Sequence, residues 1–178
     1  MELKNVKNII VVDDDRSIRV VISTALSRAG YNVKSSGTVA GMWRLVETDF
    51  ADILITDVGL PDGDALDMLP KVQNMKPALK IIVMSARTTL LTAVRAQKKG
   101  AFEYLPKPFD LDELLNLVSS TFMQNNSHII KSNKITESTK NIYDSGPVIG
   151  KSMAMQDIYK LISRLVNTNL TLLISGES

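Results

Sequence analysis

The sequence predicts an α/β fold in which a doubly wound sheet of five parallel strands is covered by five helices. Short apolar runs alternate along the chain with segments of helical periodicity. Strands that alternate with helices lie parallel and are joined by right-handed crossovers. The run Ile53-Leu54-Ile55 is apolar at every position, which is typical of a strand covered on both faces. A linker and an incomplete second domain are expected to follow.

The five strands are predicted where apolar residues cluster between turn residues. Runs 9–12, 51–55 and 79–84 are strong, and runs 31–34 and 102–105 are weaker. Run 9–12 is far too short to cross a bilayer and ends at three aspartates, so no membrane segment is expected.

The five helices are predicted from apolar residues that recur every three or four positions, at 18–29, 39–46, 66–72, 90–96 and 111–122. The first helix stops at Gly30, and the last one opens after Asp110, a residue type that can cap a helix. Together with the strands, these helices complete a first domain over residues 1–123.

The composition changes after residue 123. Residues 124–146 are rich in Asn, Ser, Thr and Lys, and we interpret them as a linker. From Pro147 a helical pattern leads to an apolar run at 170–174 and a glycine turn at Gly176, where the sequence ends. A strand without a following helix cannot bury both faces, so residues 147–178 are interpreted as the start of a second domain.

The composition also excludes several classes of protein. The chain has no cysteine, which excludes disulfides and thiolate metal sites and fits a reducing cytoplasm. Residues 1–123 hold 15 basic and 15 acidic side chains, and residues 124–178 hold 6 and 4. Neither part has the basic footprint of a nucleic-acid binder, so this chain is not expected to bind nucleic acid.

Four of the five predicted strands deliver a polar residue to one edge of the sheet, where ligands bind in folds of this class. These residues are Asp13, Asp14 and Asp15 after the first strand, Asp57 after the third, Ser85 after the fourth and Lys107 after the fifth. Two carboxylates ~4 Å apart repel by roughly 4 kcal/mol at an effective dielectric of ~20. A hard cation such as Mg²⁺ offsets that cost. Aspartate can also accept a phosphoryl group covalently, with lysine and serine binding its oxygens.

Four motifs resemble the receiver domain of two-component response regulators, a flavodoxin-like fold. They are Val12-Asp13-Asp14, Asp57 with Pro61, Met84-Ser85-Ala86, and Tyr104-Leu105-Pro106-Lys107-Pro108-Phe109. The resemblance covers residues 7–123, and the stretch 100–110 is most similar to the NtrC (nitrogen regulation) family. Residues 148–152 and 172–178 resemble the start of the AAA+ ATPase domain of the same family.

The resemblance implies a role for each residue at the edge of the sheet. Asp57 would be the phosphoacceptor, and Asp13 and Asp14 would hold Mg²⁺ together with Asp57 and the main-chain carbonyl of Gly59. The neighbouring Asp15 leaves the register of this acidic pair open by one residue.

The remaining roles concern the conformational switch. Lys107 would bind the phosphoryl group, with a cis bond to Pro108. Ser85 would be the switch hydroxyl and Tyr104 the aromatic switch. One departure from the family is Ala65, which stands where many receivers have glycine.

The resemblance also implies partners. A sensor histidine kinase would donate the phosphoryl group, and the surface of the fourth helix, fifth strand and fifth helix, or the linker, would form a homodimer. That surface includes Leu90, Leu91, Val94, Tyr104 and Leu111. The full-length protein would act on DNA and on RNA polymerase with the alternative sigma factor, sigma-54, in nitrogen regulation.

The chain itself is expected to be a switch and not an enzyme. The phosphate-binding loop would begin at Gly176, and its lysine lies beyond the sequence, so ATP hydrolysis is not expected. The alternative to a phosphorylated switch is a phosphorylation-independent interaction module with the same fold.

Overall fold

The computed structural model describes residues 6–48, 50–86 and 90–123, and Ile158 beyond them. The elements are β1 (Asn8–Val12), α1 (Arg16–Arg28), β2 (Asn32–Ser36), α2 (Val39–Glu47), β3 (Ile53–Asp57), β4 (Gly59–Leu60), β5 (Gly63–Asp64), α3 (Ala65–Met75), β6 (Lys80–Ser85), α4 (Leu90–Lys98), β7 (Glu103–Pro106) and α5 (Leu111–Met123). The predicted linker and second domain lie outside the described residues, apart from Ile158. No described helix is long and apolar enough to cross a membrane.

A five-stranded sheet has the order β2-β1-β3-β6-β7, and all its strands are parallel. In the centre, Ile10 is in register with Lys34 of β2 on one side and Leu54 of β3 on the other. The strand order reverses beside β1, because the chain first adds β2 on one side and then β3 on the other. The predicted doubly wound α/β fold is therefore confirmed.

The apolar runs form central strands because both faces of the sheet are covered. On one face, Ile10 and Leu54 pack with Met42 of α2 and Leu66 of α3. On the other face, Ile9 and Ile53 of the same strands pack with residues of α1 and α5, which are Ile22, Leu26, Leu114 and Val118. Side chains of one strand alternate between these two cores. The carboxyl ends of all five strands meet at one edge.

Two features near that edge were not predicted. Residues Gly59–Leu60 and Gly63–Asp64 pair as a short antiparallel ladder after β3. Asp64 then caps α3, and its carboxylate accepts from the main-chain N of Leu66 at 2.8 Å. Ala65 is the first residue of that helix and is fully buried, so its position requires no glycine.

Candidate functional site

Four of the proposed site residues are placed by the end of a strand. Asp13 directly follows β1, Asp57 and Ser85 are the last residues of β3 and β6, and Lys107 directly follows β7. Because parallel strands end at the same edge, residues up to 94 positions apart come into contact. The structure brings Asp13, Asp57 and Lys107 into one cluster.

Lys107 joins two carboxylates. Its Nζ donates to Oδ2 of Asp13 at 2.5 Å and to Oδ2 of Asp57 at 2.6 Å. Burial by itself lowers the pKa of Lys107, but the two hydrogen bonds and the two negative charges together outweigh it, so the pKa is raised. The ammonium therefore stays charged and acts as the counter-ion of both acids.

Asp13 is the buried member of the cluster. Burial raises the pKa of Asp13, and the hydrogen bond and charge of Lys107 only partly oppose this effect. Its Oδ1 also accepts from the main-chain N of Asp15 at 3.0 Å. Asp13 is thus held from both sides, by the ammonium and by the following turn.

Asp15 has a different position from its two neighbours. Its carboxylate caps α1 and accepts from the main-chain N of Ser17 at 2.7 Å and of Ile18 at 3.3 Å. These hydrogen bonds lower the pKa of Asp15. Asp15 therefore caps the helix, whereas the carboxylates of Asp13 and Asp14 lie near that of Asp57.

Asp13, Asp14 and Asp57 could hold a metal ion. Each offers a carboxylate oxygen, and these three atoms lie within 4.8 Å of one another. All three donors are oxygens, which is the set that hard divalent cations prefer. The side chains are buried, exposed and intermediate in that order, so an ion would keep a side open to solvent. Gly59 lies two residues after Asp57 in β4, and a role for its carbonyl stays a prediction.

Ser85 and Tyr104 form a buried polar pair beside the cluster. Both side chains are almost fully buried. Burial raises the pKa of Tyr104 to about 12, the hydrogen bond with Ser85 opposes this shift, and the charge of Asp57 adds to it. The side chain of Tyr104 is therefore buried, and its pKa depends on the charge of Asp57. The Lys107–Pro108 bond is cis, as expected.

Two residues at the site were missed. Arg19 donates to the main chain of Asp13 and Asp14. Asp62, in the turn between β4 and β5, accepts from the main-chain N of Val39 at 2.7 Å and of Ala40 at 2.9 Å. The only sequence signal for Arg19 is its place one helical turn after the acidic run. No local pattern links Asp62 to a helix that begins 23 residues earlier.

The sequence of the chain is similar to sequences of known proteins. The family model for the response regulator receiver domain matches residues 9–119. A DNA-binding transcriptional regulator NtrC from Bradyrhizobium sp. (strain RP501 Parasponia) is 46% identical over 171 residues, which is 96% of this chain and 35% of that protein. The chain thus spans about a third of the length of the curated relatives it matches.

Two solved structures are similar to the described domain. A CheY-like receiver domain protein from Methanospirillum hungatei JF-1 has a TM-score of 0.66 and 26% identity, and the match covers 68% of this chain and 98% of that one. The beryllofluoride-activated NtrC4 receiver domain dimer has a TM-score of 0.63 and 31% identity, with 66% and 97% covered. Both matches therefore span nearly the whole of a single receiver domain.

Proposed function

Because this chain belongs to the response regulator receiver domain family, we propose that Asp57 accepts a phosphoryl group from a sensor histidine kinase. The observation that carries this proposal is the pair of hydrogen bonds from Lys107 to Asp13 and Asp57. The ammonium can bind a phosphoryl oxygen, and a divalent cation at the neighbouring carboxylates would offset their negative charge. Asp14 adds a third carboxylate, which offers an oxygen within 4.8 Å of one oxygen each of Asp13 and Asp57.

The proposed reaction is a nucleophilic displacement at phosphorus. A carboxylate oxygen of Asp57 forms the new P–O bond while the P–N bond of the phosphohistidine breaks, and the imidazole leaves with the bonding electrons. Lys107 offsets charge on the phosphoryl oxygens. Asp13, Asp14 and Asp57 would hold Mg²⁺, which when bound supplies positive charge for those oxygens. The product is an acyl phosphate on Asp57.

The acyl phosphate would then shift a conformational equilibrium. Ser85 and Tyr104 support this step, because both are buried, Ser85 ends the strand that pairs with the strand of Asp57, and the charge of Asp57 raises the pKa of Tyr104. The surface expected to respond is formed by α4, β7 and α5, with Val94 and Leu111 partly exposed on it. The side chains of Leu90 and Leu91 lie outside the described part of the chain.

The role of the whole protein is a further part of the proposal. Relatives 42–46% identical to this chain are named DNA-binding transcriptional regulator NtrC, and the NtrC4 receiver domain was solved as a dimer. We infer a homodimeric regulator that acts with sigma-54 on genes of nitrogen metabolism. This chain would be the switch of that regulator, and Asp57 would lose its phosphoryl group only slowly.

Incubation with a small phosphodonor and Mg²⁺, followed by intact-mass measurement, tests the proposal. The wild-type chain should gain one phosphoryl group, and Asp57→Asn should gain none. Asp112→Asn removes a carboxylate from the first turn of α5 and should behave as wild type. A wild-type chain that gains no phosphoryl group would instead support the phosphorylation-independent interaction module.

A further inference from the structure

The guanidinium of Arg19 holds the main chain of the acidic pair. Arg19 is half-buried in α1, and its Nη1 donates to the carbonyl oxygens of Asp13 at 2.6 Å and of Asp14 at 2.9 Å. Hydrogen bonds from a charged donor are stronger than neutral ones. The two carbonyls belong to residues whose carboxylates converge with that of Asp57. Arg19 therefore fixes the origin of both side chains without occupying their carboxylates.

Gly37 makes room for this guanidinium. It follows β2, and a Cβ at this position would lie 2.8 Å from Nη1 and 3.3 Å from Cζ of Arg19. The main-chain N of Asp13 donates to the carbonyl of Ser36 at 3.2 Å, so the end of β2 is bound to the same turn. Arg19 thus lies where the turn after β1, the helix α1 and the turn after β2 meet.

We propose that Arg19 is a positioning residue for the metal site, which it serves by holding the main chain of Asp13 and Asp14. The inference rests on the proposed function, because that function needs a cation at these carboxylates. Two effects of Arg19 on the cation have opposite signs. Its positive charge disfavours a nearby cation, whereas a fixed main chain lowers the cost of bringing the two carboxylates together.

The positioning effect is the larger one, because Arg19 donates to main-chain carbonyls and leaves the carboxylates to a metal. Groups that support metal ligands in this way typically change metal affinity by about 10–100-fold. The sign of the change on removing Arg19 therefore separates the two effects. Weaker binding indicates positioning, and tighter binding indicates charge alone.

Titration calorimetry of the full chain with Mg²⁺ measures whether the removal of Arg19 weakens or strengthens Mg²⁺ binding. Arg19→Met should weaken Mg²⁺ binding about tenfold. Gly37→Ala keeps the charge of Arg19 but displaces its guanidinium, and it should weaken binding in the same direction. Arg28→Met, at the far end of the same helix, should bind Mg²⁺ as wild type does. Unchanged or tighter binding in Arg19→Met would overturn the proposal.

Amide hydrogen exchange without metal gives a second, independent readout. In both Arg19→Met and Gly37→Ala, the amides of residues 13–17 should exchange faster than in wild type, because the turn loses the hydrogen bonds that Arg19 donates to it. A wild-type chain that binds no Mg²⁺ would refute the proposed function. The exchange rates would then still show whether Arg19 holds the main chain of Asp13 and Asp14. Wild-type protection in both variants would overturn the positioning role.

Discussion

Replacing Lys107 with methionine should destabilise the metal-free protein by about 3 kcal/mol. The substitution keeps an apolar stem of similar length and removes the one ammonium bound to both Asp13 and Asp57. One oxygen from each of the three carboxylates lies within 4.8 Å of the others, and two like charges at that distance repel by roughly 3 kcal/mol at an effective dielectric of ~20. Breaking a buried ion pair costs ~3–5 kcal/mol, and the side chain of Lys107 is 14% exposed, which favours the lower end.

Urea unfolding in EDTA, followed by circular dichroism, measures this loss. The same titration in saturating Mg²⁺ should restore much of it, because the cation no longer competes with an ammonium for the three carboxylates. A ligand at 100 times its Kd stabilises the folded state by about 2.7 kcal/mol. Mg²⁺ should therefore stabilise Lys107→Met more than it stabilises wild type.

The matched control is Lys99→Met. Lys99 forms an ion pair with Asp67, whose side chain is 64% exposed, and exposed pairs contribute little. This variant should unfold close to wild type, with or without Mg²⁺. A Lys107→Met variant that is as stable as the control in EDTA, or that Mg²⁺ stabilises no more than wild type, would refute this prediction.

Three other predictions test the fold around the site. The pKa of Tyr104 is raised to about 12, so the folded protein keeps a proton that the unfolded chain releases near pH 10, and stability falls as the pH rises through this window. At pH 11 the free energy of unfolding should be about 1 kcal/mol below its value at pH 8, and Tyr104→Phe should lack this part of the decrease; an equal decrease in both proteins would contradict the assignment. Leu54→Ala, in the centre of the sheet and fully buried, should cost about 2–5 kcal/mol in urea unfolding, whereas a loss under ~1 kcal/mol would mean that the two cores are not packed as described. Thr38 caps α2 through the main-chain N of Gly41 at 3.0 Å, so Thr38→Ala should cost ~1 kcal/mol and Thr38→Ser much less, with equal losses in the two variants counting against the cap.

The sheet could be predicted because β1, β3 and β6 are buried on both faces and are apolar almost throughout. The edge strand β2 has the sequence NVKSS and is partly exposed, so the apolar run placed it one or two residues too early. The ladder of β4 and β5 has two residues on each strand, which is too short to produce a periodic pattern.

The site residues, too, could be predicted only in part. Residues at strand ends were found because topology alone brings them to one edge. The choice between Asp13 and Asp15 stayed open, since the two are separated by one residue and differ only in what packs around them. Arg19 and Asp62 were missed for a related reason. Both act on main-chain atoms, and a hydrogen bond to the main chain places no demand on the type of the partner residue.

The contact between Asp62 and α2 has a consequence for protein engineering. The turn between β4 and β5 supplies two of the hydrogen bonds that open a helix more than 20 residues upstream, while Thr38 supplies the next. A chimaera that imports this turn from a relative without a carboxylate at position 62 would leave two amides of the host helix without their side-chain acceptor. The turn that contains Asp62 and the start of α2 should therefore be exchanged together, although they are far apart in the sequence.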